Sequence, residues 1–212
     1  KMRDKAIGTA RGVTSFDEAQ AWMAARRIEE IECSVPDMAG VARGKLMPAS
    51  KFFTGRVMNL PESIFYQTIA GDYPDLSELT NVDAADGDLV FHPDFSTLCA
   101  VPWESDPTAQ VIHDAYHRDG RPVELAPRNV LRRVLRLFEG RGWTPLVAPE
   151  IEFYLVQANT DPDYPLEPPI GRSGRAETGR KSFSISAVNE FDPLFDDIYD
   201  YSESQGLEID TL

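Results

Sequence analysis

The chain has 212 residues, 42% of them hydrophobic and 26% charged, enough for one large soluble domain or two small ones. Its 21 Lys and Arg against 35 Asp and Glu leave a net charge of −14, which excludes nucleic acid and anionic membranes as principal partners. The start of the chain has no apolar core of a leader, and no apolar run approaches the ~20 residues of a membrane span, so a cytoplasmic protein is expected. The two cysteines, Cys33 and Cys99, lack CxxC spacing and read as buried thiols.

In chain order, Ser15 and Glu18 form a capping box, and Phe16, Ala19 and Met23 share one face, which predicts a helix over 15–27. Residues 28–35 alternate as a half-buried strand, Pro36–Gly40 turns, and Val41–Met47 returns, making a hairpin. Arg43 and Lys45 share a face of the second strand, as a solvated edge or as cations facing an anionic neighbour. A short helix is expected at 49–55. Residues 60–70 are apolar without clear period, and 71–87 reads as a loop. Strands follow at 88–92, 97–103 and 109–113. The turn Arg118–Pro122 and the proline-rich stretch to Pro127 mark a domain boundary. Pro127 then opens a helix with Val130, Leu131, Val134, Leu135 and Phe138 on one face, stopped by Gly140 and Gly142.

The stretch Ala148–Val156 reads as a strand that puts Glu150 and Glu152 on one face and Ile151, Phe153 and Leu155 on the other. Adjacent carboxylates repel unless a cation lies between them. A hard divalent ion, Mg²⁺ or Mn²⁺, suits such oxygen donors, whereas a half-exposed strand with a polar outer face is the plainer alternative. Residues 158–181, with four prolines and three glycines, predict a long functional or mobile loop. Strands at 182–188 and 207–212 flank a helix from Asp192 to Gly206, and the sequence stops inside the last of them, as a truncated protein would.

Other motifs are weaker. His113-Asp-Ala-Tyr-His117 has the histidine spacing of a zinc helix but Asp in place of the Glu base. Gly171-Arg-Ser-Gly-Arg175 resembles a phosphate-touching turn without a following helix. There is no Gly-x-x-x-x-Gly-Lys, Gly-x-Gly-x-x-Gly or Gly-x-Ser-x-Gly.

The order of several motifs carries more information than any one of them. Asp37-Met-Ala-Gly-Val-Ala-Arg-Gly-Lys45, Asp86-Gly-Asp-Leu-Val-Phe-His-Pro-Asp-Phe-Ser-Thr97, Val101-Pro-Trp103, Asp119-Gly-Arg-Pro122, Pro127-Arg128 and Glu150-Ile-Glu-Phe153 together resemble the glutamine synthetase family. Ser184–Phe195 and Gly206–Leu212 look like its γ-glutamylpolyamine (glutamate–putrescine type) branch.

The resemblance implies an α+β fold: a helical segment over 1–27, a β-grasp-like N-terminal domain over 28–122, and the first part of a catalytic α/β domain with a curved antiparallel sheet over 123–212. It implies an ATP-dependent ligase that joins the γ-carboxylate of glutamate to an amine through a γ-glutamyl phosphate. Two Mg²⁺ or Mn²⁺ ions serve each site, Glu150 holding the one nearer the ATP phosphates and Glu152 the one nearer glutamate. No catalytic or nucleotide-binding residue is assigned within 1–212, and the fragment alone is expected to be inactive. The partners implied are glutamate, ATP, an amine and further copies of the chain in a ring, a dodecamer in this family, serving nitrogen and polyamine metabolism. Glutamine-forming members carry Asp-Gly-Ser-Ser where this chain has Leu60-Pro-Glu-Ser-Ile64, so the ammonium-binding Asp is missing, with Glu62 as a substitute candidate. Two other readings stand beside this one: a glutamine synthetase using ammonia, and a catalytically silent member with a binding or structural role.

Overall fold

The computed structural model describes residues 9–55, 57–73, 87–179 and 181–211. The chain divides into two compact units, one of Lys1–Pro145 with Ser204–Gly206 and one of Leu146–Glu203 with Leu207–Leu212. Its architecture is mixed α and β, with all six strands of the described residues in the first unit.

Helix α1 (Phe16–Ala25) starts where the capping residues place it. Ser15 Oγ accepts from Glu18 N at 3.2 Å, while Glu18 Oε2 reaches back to Thr14 N at 2.7 Å and Thr14 Oγ1 at 2.8 Å. Strands β1 (Glu30–Pro36) and β2 (Ala42–Pro48) form the expected hairpin, paired from Glu30↔Pro48 to Pro36↔Ala42. Then come helix α2 (Ala49–Gly55), β3 (Met58–Pro61), a 3₁₀ turn over Glu62–Phe65, β4 (Asp88–Pro93), β5 (Cys99–Ala100) and β6 (Thr108–Tyr116). β3 is an element that the aperiodic apolar stretch did not reveal. The strand expected over 97–103 shrinks to β5, because Asp94 Oδ1 accepts from Ser96 N and caps a 3₁₀ turn over Phe95–Thr97. Of the loop expected at 71–87, residues 74–86 lie outside the described residues.

The sheet order is β2-β1-β6-β4-β3, with β5 beside β6. β6 is the central strand. It runs parallel to β1 (Glu30↔Thr108 to Ser34↔Ile112), and its other edge pairs antiparallel first with β5 and then with β4. Its alternation sends Ala109, Val111, His113 and Ala115 into one face. There they meet Ile31, Cys33 and Val35 of β1 and Leu89 and Phe91 of β4, beneath Ala19, Trp22 and Met23 of α1. Phe16, Phe52, Phe53 and Phe95 close this core edge to face, with ring centroids 5.2–6.4 Å apart. Cys33 and Cys99 are buried free thiols, and burial pushes the Cys33 thiol up to about 12.

Side chains join the two edge strands. Lys45 Nζ on β2 donates to Asn59 O on β3 at 2.8 Å, and Arg43 Nη2 donates to Thr68 O at 3.0 Å. The two cations thus cap backbone carbonyls near the opposite edge, which corrects the reading of a simple solvated edge and curls the sheet toward closure. Arg43 is itself held by Asp37. The fully buried Asp37 carboxylate accepts from Ala39 N at 2.9 Å, Val41 N at 2.8 Å and Arg43 Nε at 2.8 Å. Burial works to raise its pKa, but the bonds from Arg43, Val41 and Ala39 outweigh it and hold the group below the usual carboxylate range. Gly44 is required here, since its φ is +150° and a Cβ would stand 1.9 Å from Cys33 O.

Helix α3 (Pro127–Glu139) has the predicted bounds, with Pro127 in its first turn and Gly140 after its end. Arg128, Asn129 and Arg132 turn to the sheet, while of the predicted apolar face Val130, Leu131 and Val134 are exposed and Leu135 and Phe138 half-buried.

Three strands expected in the second half do not form. Residues 148–156 carry no ladder, 182–188 overlaps helix α4 (Ile185–Asn189), and 207–211 is unpaired. A strand exists only where neighbouring strands satisfy its N–H and C=O groups, and none of these segments finds a partner among the described residues. The helix expected from Asp192 is present as α5 (Asp192–Ser204). The described residues of 158–181 form no helix or strand, as a loop reading expects, and turns of their own hold them. Asp161 Oδ1 accepts from Asp163 N, Gln157 N bonds Glu167 O at 3.0 Å, and Ile170 bridges Ala176.

Two outcomes follow for stability. Asp37→Ala removes a buried acceptor and leaves the Arg43 guanidinium without its carboxylate, and should cost about 3 kcal/mol in urea unfolding. His113 is buried, which pushes its pKa down to about 4, against the partial support of the Val111 carbonyl and Asp114. The unfolded chain therefore binds this proton below pH ~6.5 while the folded chain does not. Stability should hold above that pH and fall by about 3 kcal/mol as the pH drops to about 4. Thermal melts of His113→Gln should show a shallower decline over that window.

Candidate functional site

Glu150 and Glu152 lie in the second unit, in an extended stretch with no ladder, and both are exposed. The alternation that separates them from Ile151 and Phe153 sorts nothing here, because Ile151 is 82% and Tyr154 96% exposed. The donor chemistry fits a hard divalent ion: two carboxylates, two residues apart, offer only oxygen. The number of donors does not complete a site, since no group of three His, Cys, Asp or Glu able to hold a metal occurs among the described residues.

The remaining sequence candidates are placed as follows. The zinc-helix reading of His113 and His117 is overturned, because His113 is on strand β6 with its ring in the core. His117 lies beyond the strand, 3.3 Å from Glu124 Oε2. His117, His92, Tyr116 and Arg118 border a surface cavity of about 320 Å³, where Arg118 pairs with Asp88 at 3.5 Å. The Gly171–Arg175 turn is already occupied by the chain's own anions. Ser173 N donates to Glu190 Oε2 at 2.9 Å and Arg172 Nη1 to Asp192 Oδ2 at 2.9 Å, so it is not an open phosphate cradle. Those Ser173 bonds hold Glu190 below the usual carboxylate range, and a Cβ on Gly171 would come within 2.5 Å of Glu190 Oε2.

Glu62, the substitute candidate, is half-buried in the 3₁₀ turn after β3. Its Oε1 accepts from Tyr66 Oη at 3.0 Å, which fixes the carboxylate one helical turn from its phenol partner. Sequence reasoning missed the cluster of Asp94, Asp114, Arg128 and Arg132. Its only sequence signal is the i, i+4 spacing of two arginines on α3, and their partners lie up to 38 residues away.

Residues 124–212 match the glutamine synthetase catalytic domain. The chain is 35% identical to a glutamate–isopropylamine ligase of a Pseudomonas species, over 61% of this chain and 28% of that protein. It is 33% identical to a γ-glutamylethanolamide synthetase of Streptomyces coelicolor, over 65% and 30%. It is 29% identical to a γ-glutamylputrescine synthetase of Escherichia coli, over 85% and 38%. The chain therefore spans 28% to 38% of the length of these curated relatives. By motif order and by direct match alike, the chain is related to the glutamine synthetase family, with γ-glutamylamide-forming ligases among its relatives.

Proposed function

We propose that the intact protein is an ATP-dependent ligase that couples the γ-carboxylate of glutamate to a carbon-bearing amine such as putrescine. The observation that carries this reading is the set of relatives named for isopropylamine, ethanolamide and putrescine chemistry, aligned with this chain at 29–35% identity. The residues are consistent with it. Where ammonia-using members place an Asp, this chain has a Glu62 carboxylate bonded to Tyr66. A longer carboxylate leaned against a phenol leaves an anion for an alkylammonium group while departing from the ammonium site.

In this reading residues 28–122 form a β-grasp-like N-terminal domain and 123–212 begin the catalytic domain. Glu150 and Glu152 each hold one Mg²⁺ or Mn²⁺. Such ions, when bound, offset charge on a transferring phosphoryl group and orient the attacking carboxylate. The chain's own contribution is the donor pair: two carboxylates two residues apart, which would lie on one face at a fixed separation once a neighbouring strand of the intact protein pairs with 148–156. The intact protein assembles into a ring of identical subunits.

Two experiments test this. Phosphate release by the intact protein, measured with glutamate, ATP and a panel of amines, should be fastest with putrescine or a related alkylamine, and ammonia beating every amine at equal concentration would contradict it. For the 212-residue chain, titration calorimetry with Mn²⁺ should show only weak binding, because two exposed carboxylates supply a fraction of the six ligands such an ion takes. Tight stoichiometric binding that disappears in Glu150→Gln would overturn that expectation.

A further inference from the structure

Helix α3 meets the sheet through charges rather than apolar side chains. Asp94, in the turn after β4, and Asp114, on β6, each face both Arg128 and Arg132, which lie one turn apart on the helix. Arg128 Nε donates to Asp114 Oδ1 at 2.8 Å, and Arg128 Nη2 donates to Asp94 Oδ2. Arg132 Nη2 lies 3.0 Å from Asp94 Oδ2 and 2.5 Å from Asp114 Oδ2. The other Asp94 oxygen accepts from Ser96 N at 3.1 Å and Ser96 Oγ at 2.6 Å. The Asp114 side chain is 8% exposed and that of Asp94 19%, so neither carboxylate is bathed by water.

A second anchor is independent of charge. The buried Asn129 sends Nδ2 to Ala115 O at 2.8 Å and to Val123 O at 3.0 Å, tying the first turn of α3 to β6 and to the chain just before the helix. Past Arg132 the helix has little burial to hold it, for Val134 and Leu137 are exposed.

We propose that α3 is mounted on a pivot and a latch: Asn129 is the pivot, and the Asp94–Asp114–Arg128–Arg132 quartet is the latch that fixes the direction of the helix. The quartet works as a unit. Two poorly solvated carboxylates side by side require both guanidinium groups, and losing either arginine leaves an uncompensated charge that favours opening the whole contact. A contact of this kind has two arrangements, closed or released, and when closed it presents Val130, Leu131, Val134 and Leu137 away from the sheet. The proposal does not depend on the ligase reading, since it concerns the first unit alone.

Spin labels at Leu137→Cys and Lys51→Cys report the direction of α3 relative to the sheet-bound helix α2, with the native cysteines buried. Labels at Glu30→Cys and Lys51→Cys serve as a control pair. In the parent chain, double electron–electron resonance should give a narrow distance distribution for both pairs. In Asp94→Asn with Asp114→Asn the Leu137 pair should broaden by about twofold or more while the control pair stays narrow. The four-site variant that adds Arg128→Met and Arg132→Met leaves no buried charge unpaired, so it decides the matter if the double variant fails to fold. It too should broaden at the Leu137 pair alone. A Leu137 distribution that remains narrow in the folded variants would overturn the latch, as would equal broadening at the control pair.

Discussion

No β-strand among the described residues stands without a partner, and that requirement on backbone N–H and C=O groups shapes both halves of the chain. β6 satisfies both its edges, with β1 on one side and β5 and β4 on the other, and the core forms on the face that its alternation makes apolar. Where the ladder ends at β2 and β3, Lys45 and Arg43 extend across to the carbonyls of Asn59 and Thr68. The same requirement acts in reverse on 148–156. Its composition is that of a strand, but with no ladder its apolar and acidic faces are equally open to water.

Carboxylate contacts to guanidinium groups and to backbone N–H groups do the positioning that apolar packing leaves undone. Asp37 sets the β1–β2 turn and aims Arg43; Asp94 and Asp114 fasten α3 by its arginines; Glu190 ties down the Gly171–Gly174 turn. Each of these acids answers to backbone donors, to arginine or to both, and these bonds hold Asp37, Asp94 and Glu190 below the usual carboxylate range. The cost is directional: such contacts hold geometry well, but each fails at once if a partner is lost. His113 is the counterpart, a base kept neutral by burial under Phe52.

Local signals were legible where local chemistry settles the outcome. Ser15 and Glu18 marked α1, Pro127 marked α3, and the turn Pro36–Gly40 marked the first hairpin, because capping and turn formation involve residues close in sequence. Signals failed where the outcome depends on distant residues. The amphipathic pattern of α3 did not show that Arg128 and Arg132 would be drawn to the sheet, since Asp94 and Asp114, which pair with them, are remote in sequence. The Glu150/Glu152 spacing was readable at once, whereas the ladder that would put both on one face is a long-range property. Zinc was a false lead for a related reason: i, i+4 histidines face together on a helix, but here the stretch is the end of β6.

The functional reading rests on the relatives named for γ-glutamylamide chemistry, and within it Glu150 and Glu152 are the proposed metal ligands. In the proposed reading a strand partner supplied by the intact protein would put both carboxylates on one face, one for each of two ions. Electron paramagnetic resonance of Mn²⁺ bound to the intact protein tests this directly, by counting ions per subunit in the parent and in Glu150→Gln and Glu152→Gln. Two ions in the parent, with a different one lost in each variant, is the predicted result. Two ions retained in both variants would contradict it.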